Sequence, residues 1–187
     1  MMWDYAIGGP WIVFVACWVA GALTTNRTVR QESFASRYSI VLLEILGFVL
    51  LFSRAAGIGV LGHRVVPRTY ALAVAGVALT WMGIAIALWA RWRLGRHWSA
   101  RVTLKEDHQL IRTGLYAHFR HPIYSGLDLA ALGGALAIDE WRCVAGAGLV
   151  VLSFWITARK EESMLAAHFG EAFEAHRRRT GFLIPKF

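Results

Sequence analysis

The sequence has few charged residues and few cysteines, and both shortages restrict the class of protein. Charged residues make up 17% of the 187 residues and apolar residues 57%, whereas soluble domains carry about 25% charged residues. The two cysteines, Cys17 and Cys143, form no CxxC pair and no Cys/His cluster. We therefore expect neither a structural disulfide nor a zinc site. No basic segment with a cleavage site opens the chain, so we expect the first apolar run to remain in the mature protein.

Several common cofactor and nucleophile motifs are also missing. The sequence contains no GxGxxG, Walker or GxSxG pattern, and a soluble Rossmann-type fold is therefore not supported. The formal net charge of +8 could indicate nucleic-acid binding. The high apolar fraction argues against that partner, because positive charge also serves as a topology signal in membrane proteins.

The charges lie in short belts between five apolar runs. These runs cover residues 5–25, 38–62, 69–90, 122–138 and 143–158. About 20 helical residues span the hydrocarbon core of a bilayer, so we predict an all-α, polytopic membrane protein with about five transmembrane helices. The last two runs are short and favour a helical hairpin covered by other helices. An amphipathic helix is predicted in the C-terminal segment, from the spacing of Leu165, Phe169, Phe173 and His176.

The basic residues are unevenly distributed between the two sides of this arrangement. Sixteen of the twenty Lys and Arg lie in residues 26–37, 91–121 and 159–187. The positive-inside rule then predicts an outside N-terminus and a cytosolic C-terminus. The composition favours a bacterial inner membrane. We predict one domain over residues 1–187, with three spans in residues 1–92 and the functional half in residues 93–187.

Most of the residues suited to chemistry lie in residues 94–126 and 161–185. His121 precedes Pro122, which is well placed to begin a helix, and a helix start attracts anions such as a carboxylate. Gly126 would allow close backbone approach. Glu161 and Glu162 follow the fifth apolar run on the same predicted side. Together with neighbouring tyrosines, this set suits a ligand with a positive charge, a carboxylate and hydroxyl groups.

Two other interpretations fit the same stretch. Three histidines, His108, His118 and His121, could form a metal site, but their spacing matches no familiar ligand pattern. Arg and aromatic residues are also common in loops that lie on a membrane surface.

Six short segments carry a resemblance to a known family. They are LGRHWS at 94–99, HQLIRTGLY at 108–116, RHPIYSG at 120–126, EE at 161–162, FGE at 169–171 and LIP at 183–185. Together they resemble the isoprenylcysteine carboxyl methyltransferase family, and the related phospholipid methyltransferases share the general plan. The resemblance covers residues 94–187, and the first half is similar in hydropathy alone.

The resemblance implies that S-adenosylmethionine binds at the cytosolic face, under a C-terminal helix that caps the pocket. A lipophilic acceptor would enter from the bilayer, and the carboxylate of a prenylcysteine-like compound is the first expectation. No metal is implied. The expected cofactor-binding residues are His108, Gln109, Leu110, Ile111, Tyr116, His121, Pro122, Ile123, Tyr124, Gly126 and Glu161.

Departures from the family pattern bear on the acceptor. Family members carry an Arg where this chain has Thr157, and Arg159 could substitute from a different side of the helix. Asp128 lies in a run where the family is apolar, and an ionisable residue in a span is a functional candidate, although pairing with an interfacial Arg would also explain it. We name Arg159, Asp128 and Glu162 as candidate catalytic residues.

The departures leave alternative functions open. N-methylation of an aminolipid is the second candidate reaction, because Asp128 could hold or deprotonate an amine. An NADPH-dependent membrane reductase is a third, since sterol reductases share a similar C-terminal plan. A membrane protein that kept the fold without activity is the fourth.

Overall fold

The computed structural model is built mainly from six α-helices. It describes residues 2–22, 28–31, 34–67, 69–95, 103–105 and 110–187. The helices are α1 (Met2–Ala22), α2 (Phe34–Phe52), α3 (Tyr70–Leu94), α4 (Pro122–Ile138), α5 (Trp141–Phe169) and α6 (Glu171–Arg179). Each of the five predicted apolar runs corresponds to one of the helices α1 to α5, and α4 has the predicted bounds.

A short two-stranded ladder adds to the predicted all-helical fold. Strand β1 (Thr28–Gln31) follows α1, and strand β2 (Thr103–Lys105) follows α3. The two strands pair antiparallel, with Gln31 opposite Thr103. The ladder joins the basic belt of residues 26–37 to the basic belt of residues 91–121 at one end of the molecule.

Helices α3 and α4 pack through small residues. A Cβ atom built on Gly126 would lie 2.6 Å from the carbonyl oxygen of Gly83, and one on Gly133 would lie 2.6 Å from the amide of Thr80. Small residues let two helix backbones approach closely, which is typical of packing in membranes. The hydroxyl of Thr80 also donates to the carbonyl oxygen of Ala130 at 3.3 Å. This interface fixes the position of α4, whose first turn carries the candidate site.

The turn between α4 and α5 is anchored to α2 and to the segment before α3. Asp139 ends α4 in the left-handed conformation, with φ of 61°, and its carboxylate accepts a hydrogen bond from the Val66 amide at 3.2 Å. The buried guanidinium of Arg142 donates to the carbonyl oxygens of Leu50 and Leu51 at 2.9 and 3.1 Å. Arg142 therefore satisfies carbonyl groups that the end of α2 leaves without helical partners.

Two helices, α3 and α5, are long and apolar enough to cross a membrane, and two shorter apolar stretches, Tyr5–Gly21 and Pro122–Ile138, accompany them. Large apolar side chains also face outward, including Ile12 at 71% exposed and Trp89 at 46%. An apolar surface of this kind suits lipid rather than water. Among the described residues, length and composition thus identify two clear candidate spans, and the number five stays a prediction.

The C-terminal segment is not one continuous amphipathic helix. Helix α5 continues beyond the apolar run to Phe169, and Gly170, with φ of 53°, separates it from α6. Residues Lys160, Glu161 and Glu162 favour a helix by intrinsic propensity, so the charged belt does not end α5. After α6 the chain returns to the start of α4, where the Arg120 amide donates to the carbonyl oxygen of Gly181 at 3.0 Å.

Candidate functional site

The side chain of His121 lies between two carboxylates at the start of α4. Its Nδ1 atom is 3.4 Å from Glu161 Oε2, and its Nε2 atom is 3.5 Å from Glu162 Oε1. The imidazole is almost fully buried. Pro122 begins the first turn of α4 and His121 directly precedes it. The imidazole faces the polar C-terminal part of α5, where both glutamates lie.

The side chain of Arg120 holds the Glu162 carboxylate in place. Its Nε atom donates to Glu162 Oε1, and its Nη1 atom donates to the carbonyl oxygen of Thr180 at 2.5 Å. Both charged side chains are more than nine-tenths buried. A buried charge is costly unless it is paired, so Glu162 is held as part of a structural network that also includes the C-terminal segment.

Glu161 is the more accessible of the two acids. The Tyr124 hydroxyl donates to Glu161 Oε1 at 2.5 Å, and the Tyr124 ring stacks on Phe154 of α5 at a centroid distance of 5.2 Å. The Glu161 side chain keeps 24% of its surface exposed, against 8% for Glu162. Glu161 can therefore accept a hydrogen bond from a ligand, whereas the Glu162 carboxylate is already occupied.

The cluster alters the titration of groups next to the membrane-spanning helices. Burial alone would lower the pKa of His121, but hydrogen bonds and charges of Glu161 and Glu162 raise it above its usual value of 6.5. Burial raises the pKa of Tyr116 well above its usual value, the negative charge of Glu161 adds to this, and Arg91 opposes it. Tyr116 is therefore a neutral hydrogen-bonding group at physiological pH.

The C-terminal segment covers this cluster. The Phe182 ring lies edge-on to the His121 ring at 5.2 Å, with the Arg159 and Arg120 guanidinium groups over it at 4.9 and 5.7 Å. The Ser125 hydroxyl donates to the carbonyl oxygen of Leu183 at 2.5 Å. These contacts attach the segment after α6 to the first turn of α4 and limit the access of water to the acids.

The structure brings five of the eleven predicted cofactor-binding residues to the cluster: His121, Pro122, Tyr124 and Glu161, with Tyr116 near enough for the charge of Glu161 to act on it. Ile123 is buried in the helical core, and Ile111 packs against that core. Leu110, next to Ile111 in sequence, is half-buried. Gly126 faces α3, which gives it a packing role that the sequence did not predict. His108 and Gln109 lie outside the described residues.

The three candidate catalytic residues, Arg159, Asp128 and Glu162, have different surroundings, and Glu162 is the one held in the buried pair with Arg120. Arg159 is exposed and lies over the rings of Trp155 and Phe182, at the edge of the covered cluster. Asp128 is 8% exposed, and its Oδ1 atom has no hydrogen-bond partner among the described residues. Thr157 is buried and bonds to the Ser153 carbonyl oxygen at 2.9 Å, so it does not replace the missing Arg.

Asp128 shares a face of α4 with the site residues. His121, Tyr124 and Asp128 are spaced i, i+3 and i+7, which places them along one side of a helix. The rings of His121 and Tyr124 stack at 5.8 Å, and Asp128 lies one turn further along α4. A line of polar side chains therefore runs from the covered cluster toward the middle of the helix.

Sequence reasoning missed Arg120, Phe182 and Ser125 as site residues. Arg120 and Ser125 lie within the RHPIYSG segment that carries the resemblance, so a signal for them was present. No sequence signal pointed to Phe182, because its position depends on the return of the C-terminal segment to α4. In the part of the chain that the structure describes, no group of three or more His, Cys, Asp or Glu side chains is arranged to hold a metal ion.

Comparison with known proteins places this site in a family. Residues 71–172 match the phospholipid methyltransferase family, and because the match covers more than half of the chain, the chain belongs to that family. The match includes α4, α5 with Glu161 and Glu162, and all of α3 except Tyr70.

Individual relatives carry a more specific name. The chain is 34% identical over 83 residues to a protein-S-isoprenylcysteine O-methyltransferase of Schizosaccharomyces pombe. The aligned residues make up 43% of this chain and 34% of that protein. It is 26% identical over 117 residues to the protein of that name from Homo sapiens, covering 61% of this chain and 41% of that protein. The chain thus spans less than half the length of these relatives.

A solved structure agrees with the architecture. The structure of a eukaryotic intramembrane Ras methyltransferase, isoprenylcysteine carboxyl methyltransferase, superposes with a TM-score of 0.54. The superposition includes 82% of this chain and 54% of the solved chain, at 22% sequence identity. At that sequence identity the similarity establishes the fold only. The activity must be argued from the residues of the site.

Proposed function

We propose that this protein transfers a methyl group from S-adenosylmethionine to a lipophilic acceptor at the membrane surface. The observation that carries the proposal is the buried cluster of His121, Tyr124, Glu161 and Glu162 under the C-terminal segment, in a chain of the phospholipid methyltransferase family. Shared fold alone would not assign an activity, so the argument rests on what these side chains can hold.

The residues of the cluster fit the cofactor. Glu161 has a partly exposed carboxylate that can accept hydrogen bonds from ribose hydroxyls, as acids do in other nucleotide sites. The first-turn amides of α4 form a helix start that favours the cofactor's carboxylate. The Nε2 atom of His121 lies 3.5 Å from Glu162 Oε1 without a well-aligned hydrogen bond among the described residues, so this buried ring nitrogen can also contact a ligand. When bound, the cofactor would supply the methyl group on its sulfonium.

The chain's own residues would act mainly by positioning. The Phe182 cover and the buried Arg120–Glu162 pair keep water from the cluster, and orientation with exclusion of water provides most of the help that a simple displacement needs. A carboxylate acceptor requires no general base. Arg159, at the edge of the cluster, could orient such a carboxylate.

The first candidate acceptor is the carboxylate of a prenylcysteine-like compound. The names of the relatives and the position of Arg159 over Phe182 support it. The second candidate is a lipophilic amine, and one specific observation favours it. The carboxyl group of Asp128 is buried on the same α4 face as Tyr124, with Oδ1 unpaired among the described residues, and it could bind a basic nitrogen.

We also propose five membrane spans, with the N-terminus outside and the cluster at the cytosolic face. The end of the molecule that holds the β1–β2 ladder, the start of α4 and α6 carries most of the basic residues, which supports this orientation. We keep the predicted bacterial inner membrane as the proposed location.

The test is methyl transfer by the purified protein in detergent. Labelled S-adenosylmethionine would be mixed separately with a farnesylated cysteine and with phosphatidylethanolamine, and label in the lipid phase measured. We expect label in one of the two acceptors, and the Glu161→Ala variant should give none. If the protein binds the cofactor but neither acceptor becomes labelled, both proposed acceptors are contradicted. If the protein instead oxidises NADPH, it is a reductase.

A further inference from the structure

The last two residues of α6 and the segment that follows it expose basic and apolar side chains side by side. Arg178, Arg179 and Lys186 are exposed, and the Lys186 ammonium donates to the Arg178 carbonyl oxygen at 3.0 Å. In the same stretch, Ile184 is 79% exposed and Phe187 is 98% exposed. Basic residues next to outward-facing apolar residues are typical of a peptide that lies at a membrane interface.

The fold sets the depth of this segment. The Ser125 hydroxyl, in the first turn of α4, holds the Leu183 carbonyl oxygen at 2.5 Å, and the Lys186 amide donates to the His118 carbonyl oxygen at 2.9 Å. Residues 118–125 are the point where the chain passes from a polar loop into the apolar helix α4. Ile184 and Phe187 therefore lie at the level where the headgroups of a bilayer would begin.

The positive charge there is not balanced within the described part of the chain. Arg177 pairs with Glu174 at 2.8 Å, but no described carboxylate pairs with Arg178, Arg179 or Lys186. Each basic residue near an anionic leaflet strengthens its attraction to the lipid surface. An acidic soluble protein would satisfy the charge but would leave Ile184 and Phe187 facing the membrane side, so lipid is the better partner.

We propose that residues 178–187 bind anionic phospholipid headgroups and that this contact holds the cover on the His121 cluster closed. The coupling is direct, because Thr180, within this segment, accepts a hydrogen bond from Arg120, and Phe182 lies against His121. The lipid contact stands by itself, whereas its effect on the cofactor rests on the function proposed above.

The experiment compares nanodiscs of phosphatidylcholine alone with nanodiscs that also contain phosphatidylglycerol. Hydrogen–deuterium exchange of residues 178–187 reports the lipid contact, and the affinity for S-adenosylhomocysteine reports the cover. The test variant is Arg178→Gln with Arg179→Gln. The control is Arg54→Gln with Arg64→Gln, which removes two charges from the segment between α2 and α3; Arg64 in that segment lies near Asp139 at the other end of α4.

In wild type and control, we expect phosphatidylglycerol to slow exchange of the segment and to raise affinity by roughly threefold or more. Added salt should weaken both effects, and the test variant should show neither. Equal exchange in the two nanodiscs, or a test variant that behaves like wild type, would overturn the proposal. If S-adenosylhomocysteine does not bind under any condition, the proposed function fails, and the exchange data still decide whether lipid binds.

Discussion

The Tyr124 hydroxyl donates a hydrogen bond to Glu161 at 2.5 Å and thereby joins the first turn of α4 to the polar end of α5. The two residues are 37 positions apart in the sequence. Their contact leaves the second oxygen of Glu161 facing the His121 imidazole. The two acids of the pair consequently have different roles, and these can be separated by substitution.

Glu161→Gln should weaken binding of S-adenosylhomocysteine by about tenfold or more, because a charge-assisted hydrogen bond to a ligand is worth about 1.5–3 kcal/mol. The protein should stay folded, since the Glu161 side chain is partly exposed. Isothermal titration calorimetry and a thermal melt in the same detergent measure both quantities.

Glu162→Gln is the matched variant with the opposite expectation. It leaves the buried Arg120 without its carboxylate, and losing one partner of a buried pair costs about 3 kcal/mol or more. The melting temperature should therefore fall clearly below that of Glu161→Gln. Equal melting temperatures and equal affinities in the two variants would contradict the division of roles.

The His121 imidazole should make stability depend on pH above neutrality. Its pKa is raised above 6.5 in the folded protein, so the protonated form contributes stability that is complete below pH 6.5 and is lost as pH rises through the raised value. Thermal melts between about pH 6 and pH 9 should show this decline, and His121→Gln should flatten it.

The titration of His176 does not contribute to the loss of stability above neutral pH. Burial, then the charges of Arg112 and Arg120, lower its pKa below 6.5, so its neutral form contributes stability that is present above pH 6.5 and is lost as pH falls through the lowered value. A decline above pH 7 that survives in His121→Gln would assign it to another group.

Asp128→Asn tests the second acceptor. The substitution keeps the shape of the side chain and removes its charge. If the acceptor is an amine, methylation should fall by about tenfold or more, while affinity for S-adenosylhomocysteine changes little. Measuring initial rates with phosphatidylethanolamine and with a farnesylated cysteine separates the cases. Unchanged rates with both acceptors would remove Asp128 from the mechanism.

Gly126→Ala tests the packing of α4 against α3. The added methyl group would lie 2.6 Å from the Gly83 carbonyl oxygen, and overpacking of this kind costs about 1–3 kcal/mol. Gly148→Ala is the control, because a Cβ there meets nothing within 4 Å and alanine favours a helix. Thermal melts should show a loss for the first variant and no loss for the second.

The sequence allowed the helices to be predicted, together with two residues, His121 and Glu161, that meet in the candidate cluster. Pro122 and the apolar run up to Ile138, in which Asp128 is the single charged residue, define α4 without tertiary information. His121 and Glu161 belong to segments that carry the family resemblance. The end of α5 was not predictable from hydropathy, because Lys160 to Glu162 change the polarity of the chain without ending the helix.

Features that depend on distant contacts could not be predicted. Arg120 was visible in the motif, but its pairing with Glu162 and Thr180 requires the chain to return after α6. The same return places Phe182 on His121. The shortage of partners around Asp128 is likewise a property of helix packing, since the sequence offers many basic residues that might have paired with it.

The most direct test of the central claim is calorimetric binding of S-adenosylmethionine, S-adenosylhomocysteine and NADPH to the detergent-purified protein. We predict that the first two bind and that NADPH does not, and that His121→Ala and Glu161→Ala abolish binding while the proteins still insert into membranes. Binding of NADPH alone would contradict the account in favour of a reductase, and binding of none of the three would contradict any cofactor role for the cluster.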